Sequence, residues 1–374
     1  MGRRCSGSSG GALEREERHM LACLKTGIGK TEVKDIPIPE PGADQIVVKM
    51  SMTTICGTDM HFLDELPNEA LAPFFPGVVL PEGMLQGHEA VGTVHSVGEA
   101  ITSFQAGDRV MAACITSCGR CNECMHGDYG VCTADGPYGR PLFGCQAEYY
   151  LVPNAEVSSV KVPDEVSDEE AILASDILST GLGAVERGEA GYGDSIAIFA
   201  QGPVGLCATL GARIRGCGLI VAVDSIPERL EYARKFGANV VINPSEEDPV
   251  ARIMGLTNNN GVDVAIEAVG TQATFEAATR VVRRGGTVSS VGVYNMTPML
   301  QLPTLIPSFN HRRIVTTFCP SGRERMRRML DMIRYGSLGL DRLYTHRMSL
   351  SDCSKAYDLF RSKEDGVLKI AITP

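Results

Sequence analysis

Four cysteines fall within the stretch 118-CGRCNECMHGDYGVC-132 of this 374-residue chain. Cys118, Cys121, Cys124 and Cys132 follow the spacing C-x2-C-x2-C-x7-C. Thiolates two residues apart on a tight loop converge on one point, and four of them complete a tetrahedral zinc shell with no open position. Gly119, Gly127 and Gly130 supply the sharp bends such a loop needs. A redox C-x-x-C would open a helix in a thioredoxin-like βαβ setting, and the flanking sequence does not read that way. An iron–sulfur cluster is the competing use of a cysteine tetrad. The expectation is structural zinc.

A second chemical signal lies at 198-IFAQGPVGLCA-208, where Ala200, Gly202 and Gly205 spell A-x-G-x-x-G with Pro203 and Val204 between the glycines. Gly202 lets the backbone approach a pyrophosphate, Gly205 lets the helix pack close to the strand, and the helix N-terminus offers unpaired N–H groups to the anion. Alanine replaces the first glycine of the fingerprint, at the position of the tight turn. Asp224 stands nineteen residues after Gly205, at the end of the next apolar run. A carboxylate there accepts hydrogen bonds from the adenosine ribose and repels a 2′-phosphate, so NAD is expected over NADP. Arg229 and Arg234 follow closely and pull the other way.

These groups need elements to hold them. From Met20 to about Leu178 the chain carries short β-like runs split by Gly and Pro, at 45–54, 89–98, 108–113 and 147–153, which suggest a barrel-like β body. From about residue 190 the pattern changes. Apolar runs at 195–200, 219–224, 239–243, 263–270, 287–293 and 313–318 alternate with helical patterns at 203–216, 227–238, 248–257 and 274–285. That alternation means βαβ units on a parallel sheet. A helix is expected over 322–336, and the strand-like tail 367–373 is assigned back to the first body. Residues 1–19, Gly/Ser-rich and then charged, are expected to be a disordered extension. The segment 62–85 is a long, mostly apolar insertion, of a length that is usually functional.

The remaining composition excludes more than it assigns. The net charge is −10, from 35 basic and 45 acidic residues, which argues against a nucleic-acid or anionic-membrane partner. No run of eighteen apolar residues is present. Thirteen cysteines, most scattered singly through apolar segments and without a secretory leader, suit a reducing cytoplasm.

Further motifs are 56-CGTDMH-61, 86-QGHEAVG-92 and 174-ASDILSTGLGAVE-186. Taken with V-G at 97–98, G-D-R-V at 107–110, the cysteine lobe, S-T-G at 179–181, Q-G-P-V-G at 201–205 and Asp224, in that order, the chain resembles the zinc-dependent medium-chain alcohol dehydrogenases over residues 20–374. The resemblance implies an α/β protein: a GroES-like β-rich catalytic domain (20–178 and 321–374) and a Rossmann doubly wound coenzyme domain (179–320). It implies that Cys56, His88 and Asp176 hold a catalytic zinc, with Glu89 beside it and able to exchange into its shell. It places Thr58 on the substrate oxygen and His61 in a proton relay. Thr180 would contact the nicotinamide, Val291 and Val293 would bind the cofactor, and Lys369 would meet the pyrophosphate. Two zinc ions per chain, NAD and assembly as a homodimer or homotetramer follow from the same likeness. An aspartate as third ligand resembles the bacterial secondary-alcohol dehydrogenases, although the Asp224–Ser225–Ile226 segment and the complete cysteine lobe depart from that branch. The implied reaction is reversible hydride transfer between an alcohol and a nicotinamide. A polyol or diol dehydrogenase, or a non-catalytic NAD- and zinc-binding protein, are the competing readings.

Overall fold

In the run Ser195–Phe199 every residue after the first is buried, and the same holds in Leu219–Val223. Strands covered on both faces lose the in–out alternation and read as continuous apolar runs. A computed structural model of the chain describes residues 19–64, 83–134, 140–142, 144–294, 299–302, 310–336 and 338–374. Residues 1–18 and most of the 62–85 insertion lie outside the described residues, so both expectations about them do too.

Six parallel strands form one sheet, in the spatial order Val240–Ile242, Leu219–Val223, Ser195–Phe199, Val262–Glu267, Val282–Ser290, Arg313–Thr316. The order reverses between Ser195–Phe199 and Val262–Glu267. Ligands of doubly wound sheets bind at such a switch point, outside the carboxyl ends of the strands. The helix Pro203–Ile214 leaves the first of these two strands directly, with Pro203 at its start where a missing N–H costs nothing.

The second large sheet has seven strands. Ile46–Thr54 pairs antiparallel with Ala90–Val97 and with Tyr149–Val152. Ala90–Val97 continues to Arg109–Ala112 and then Ser159–Lys161. On its other side, Ile46–Thr54 pairs with the chain's last strand, Lys369–Thr373, through Ala371 opposite Thr54. The tail therefore returns to the β-rich body, as its composition suggested. One apolar cluster joins the two bodies, with Met52, Met111 and Leu368 packing together with Leu173, Leu206 and Leu330.

Differences from the sequence expectation have local causes. The helix expected over 274–285 stops at Val281, where the β-branched pair Val281–Val282 passes into the strand Val282–Ser290. The strand expected through residue 270 ends at Glu267, whose carboxylate accepts the N–H groups of Val269 and Gly270, both at 2.8 Å, and turns the chain. The hairpin His19–Gly27/Lys30–Pro37 and the helices Gly57–Leu63, Ile177–Arg187 and Cys353–Ser362 were not anticipated.

Candidate metal and cofactor cleft

Three segments distant in sequence meet at the end of the β-rich sheet. Cys56 caps the helix Gly57–Leu63, and its N–H donates to Asp59 Oδ2 at 2.9 Å. The other oxygen of Asp59 lies 2.7 Å from His88 Nδ1. One buried carboxylate therefore fixes the helix start and the histidine ring together. Holding Nδ1 leaves Nε2 facing Asp176 Oδ2 at 3.2 Å, and Cys56 Sγ lies 3.4 Å from the same oxygen. Asp176 precedes the helix Ile177–Arg187, and its second oxygen accepts from Thr180 Oγ1 at 3.1 Å. Ligand atoms of Cys56, His88, Glu89 and Asp176 all lie within 4.8 Å of one another.

Glu89 is fully buried. Its Oε2 accepts from Lys369 Nζ at 2.6 Å and from Thr54 Oγ1 at 2.5 Å, whereas Oε1 has no partner. A buried carboxylate oxygen with no hydrogen bond is costly unless a cation faces it. One thiol, one imidazole and two carboxylates within this space are a donor set running from soft to hard that fits zinc. Burial, reinforced by the charges of Asp176 and Glu89, pushes the Cys56 thiol up to about 11, so a cation is what would stabilise its thiolate. Burial works to lower the His88 pKa, but Asp59 and Asp176 outweigh it and hold the ring well above its ordinary value. Burial likewise works to raise Asp176, and the His88 hydrogen bond and charge outweigh it downward.

The cysteine lobe is built differently. Cys118, Cys121, Cys124 and Cys132 also place their sulfurs within 4.8 Å of one another. Cys118 Sγ accepts N–H bonds from Arg120 at 3.4 Å and Cys121 at 3.2 Å, and Cys132 Sγ accepts from Cys118 N–H at 3.3 Å. Gly119 and Gly127 both take positive φ, +71° and +87°, as the bends require. Backbone N–H groups at Cys124 and Thr133 draw the half-buried Cys121 thiol down to about 6, while burial and Cys121 raise Cys124 to about 12. All four ligand positions belong to thiols, so such a shell is closed.

Between the two bodies runs a cleft of about 1160 Å³ measured to its open mouth. Cys56, Thr58, His61, His88, Asp176 and Lys369 line it together with Thr180, Gly202, Pro203, Val204, Gly205, Val291 and Val293. A Cβ on Gly205 would sit 2.0 Å from the carbonyl oxygen of Ala200, so helix and strand approach as closely as the fingerprint expects. At Gly202 an added Cβ would meet nothing nearer than Arg229 Nη1 at 3.8 Å, which leaves the backbone open to a ligand. Ala200 holds φ = +81°. The tight turn is thus retained although glycine is not, at a steric cost an L-residue bears. Asp224 accepts from Gln201 N–H at 2.6 Å and Ile226 N–H at 2.9 Å, so it shapes the turn.

Lys369, expected to meet the pyrophosphate, lines the cleft, and its ammonium, 1% exposed, pairs with Glu89. Burial works against the charge and Glu89 outweighs it, holding the lysine pKa up. Asp59 and Thr54 were not anticipated as site residues. Asp59 could have been read from its place three residues after Cys56, the reciprocal position of a helix-capping pair; Thr54 carries no local signal.

Fold and site together define a two-body dehydrogenase with a nucleotide-binding sheet and a metal-ligand cluster at one cleft. Residues 42–164 match the alcohol dehydrogenase GroES-like domain and residues 203–334 the family described as zinc-binding dehydrogenase. An alcohol dehydrogenase of Cupriavidus necator is 41% identical over 380 residues, spanning 95% of this chain and 100% of that one. The NADP-dependent isopropanol dehydrogenase of Thermoanaerobacter brockii is 31% identical, over 91% of this chain and 96% of its own. The solved alcohol dehydrogenase of Thermus sp. ATN1 superposes with a TM-score of 0.83 at 34% identity, covering 95% and 99%. The chain belongs to the zinc-dependent medium-chain alcohol dehydrogenase family, with a GroES-like β-rich body and a Rossmann parallel sheet. Among the described residues no helix is long and apolar enough to cross a membrane.

Proposed function

We propose that this protein is a zinc-dependent, NAD-using alcohol dehydrogenase acting reversibly on secondary alcohols and their ketones. The observation that carries the reading is the convergence of Cys56, His88 and Asp176 on the same cleft that the Gly202–Gly205 turn lines. Cys56, His88 and Asp176 would hold the zinc, with Glu89 behind it. When bound, zinc lowers the pKa of an alcohol hydroxyl and polarises a carbonyl, and the nicotinamide exchanges the hydride. A second zinc belongs to Cys118, Cys121, Cys124 and Cys132.

This chain's own residues do the positioning. Thr58, 3.9 Å from Cys56 Sγ, would accept the alcohol's hydrogen bond and release its own proton by way of the cofactor ribose to His61, which passes it toward solvent. Thr180, held by Asp176, meets the nicotinamide face with Val291 and Val293. Gly202 and the start of the following helix take the pyrophosphate, with Pro203 and Val204 beneath it. Asp224 takes the ribose hydroxyls and Arg229 stands at the mouth of the turn. Burial raises the Glu89 pKa, and the Lys369 charge works against that shift. We place the joins between the catalytic and coenzyme bodies after residue 178 and before residue 321.

The test is an absorbance assay of NADH formation with 2-propanol, 2-butanol, ethanol, sorbitol and 2,3-butanediol. Highest kcat/KM on the simple secondary alcohols, greater with NAD than with NADP, is expected. Activity on sorbitol or 2,3-butanediol far above that on 2-butanol would overturn the substrate assignment in favour of a polyol enzyme.

A further inference from the structure

Asp176 belongs to two ligand clusters. Besides its place with Cys56 and His88, a carboxylate oxygen of Asp176 lies within 4.8 Å of both Cys114 Sγ and Cys319 Sγ, which lie equally near each other. The two sulfurs come from different bodies of the fold. Cys114 follows the strand Arg109–Ala112 of the β-rich sheet; Cys319 follows Arg313–Thr316, the edge of the parallel sheet.

Both positions are held firmly by backbone. Cys114 N–H donates to Ser175 O at 3.2 Å, and its carbonyl accepts from Leu142 N–H at 2.8 Å. The carbonyl of Cys319 would lie 2.1 Å from a Cβ on Gly130, so the cysteine lobe is packed directly against it. Ser179 Oγ bonds the neighbouring Pro320 carbonyl at 2.5 Å. Cys319 Sγ itself lies 3.7 Å from the Asp176 carbonyl and 4.0 Å from that of Ser175. Both side chains are buried, at 2% and 5% exposure, yet both line the cleft. Neither is part of a disulfide.

We propose that Cys114, Cys319 and Asp176 form an additional thiophilic cation site in the cleft wall, and that a cation held there blocks the alcohol position. Two thiolates and a carboxylate select soft or borderline ions such as Cd²⁺ or excess Zn²⁺ over Mg²⁺ or Ca²⁺. Binding would displace the two thiol protons to solvent, and Asp176 would be shared with the site of Cys56 and His88. The blocking effect rests on the alcohol dehydrogenase reading; the binding does not.

The probe is Cd²⁺ added to the reduced, zinc-replete protein. Total metal per chain is counted after gel filtration, and the thiolate-to-cadmium charge-transfer absorption is followed. Counting zinc and cadmium together makes exchange at the other sites invisible. The expected result is about one further equivalent in the wild type, lost or weakened at least about tenfold in both Cys114→Ala and Cys319→Ala. Cys23→Ala, at a buried thiol elsewhere, should retain the extra equivalent. Equal total metal in wild type and both cleft variants would overturn the proposal and leave the two cysteines as packed thiols. In turnover, Cd²⁺ should inhibit competitively with alcohol, needing at least about tenfold more metal in either cleft variant. Binding of the extra equivalent without inhibition would overturn the blocking role. A protein that binds it but oxidises no alcohol even without cadmium would instead overturn the function proposed above.

Discussion

The cysteine lobe and the cleft cluster contrast in how the chain builds them. The lobe at Cys118–Cys132 draws all four ligands from fifteen consecutive residues, and its sulfurs are steadied by neighbouring backbone N–H groups. The cleft cluster draws Cys56, His88 and Asp176 from three segments, and buried side chains steady it: Asp59 on His88, Thr180 on Asp176, Lys369 and Thr54 on Glu89. A local loop can close a shell by its own geometry. A cluster assembled from distant elements can keep one side open toward a cleft, but only if the tertiary packing holds each ligand in place.

The contrast breaks most visibly at His88. His88→Ala is expected to abolish alcohol oxidation and remove one zinc while the other remains; NADH formation and metal analysis on the same sample check both. Near wild-type kcat would end the assignment. Asp59→Asn tests the supporting layer. It keeps the shape but removes the charge beside His88 Nδ1, and metal affinity at the cleft should fall by about 10–100-fold, as competition with a chelator would show. An unchanged affinity would mean that Asp59 serves the helix cap alone.

Cys121→Ser addresses the lobe. Thermal unfolding should move down by roughly 5–10 °C, before any comparable change in KM for the alcohol. The reverse order would make the lobe part of the substrate site. The smallest effect belongs to Ala200→Gly, which touches neither cluster. Relieving a positive φ should stabilise the protein by about 1 kcal/mol, read by denaturant unfolding, with metal content unchanged. Destabilisation would show that the alanine methyl packs usefully and that the turn carries little strain.

Much of this was legible from residues alone where the signal is periodic or local. The parallel sheet followed from alternating apolar runs and helical patterns; of the element ends that fell elsewhere, one lies where Glu267 turns the chain and another where Val281–Val282 changes its course. The cysteine lobe followed from spacing. The cleft ligands came from a likeness to a family, since nothing in the intervals between residues 56, 88 and 176 brings them together. The ion pair of Lys369 with Glu89 carried no signal of its own: the two stand 280 residues apart, and the pairing of Lys369–Thr373 with Ile46–Thr54 brings them together.

By itself, then, the sequence determined the elements and the closed cysteine site, because helix and strand periods and short loop closures are written in neighbouring residues. The tertiary structure alone decided which buried carboxylate faces which cation, and that Cys114 and Cys319 share Asp176 with the cleft cluster. Those contacts join segments that meet only when two sheets pack across a common core, and no local rule of spacing reaches that far.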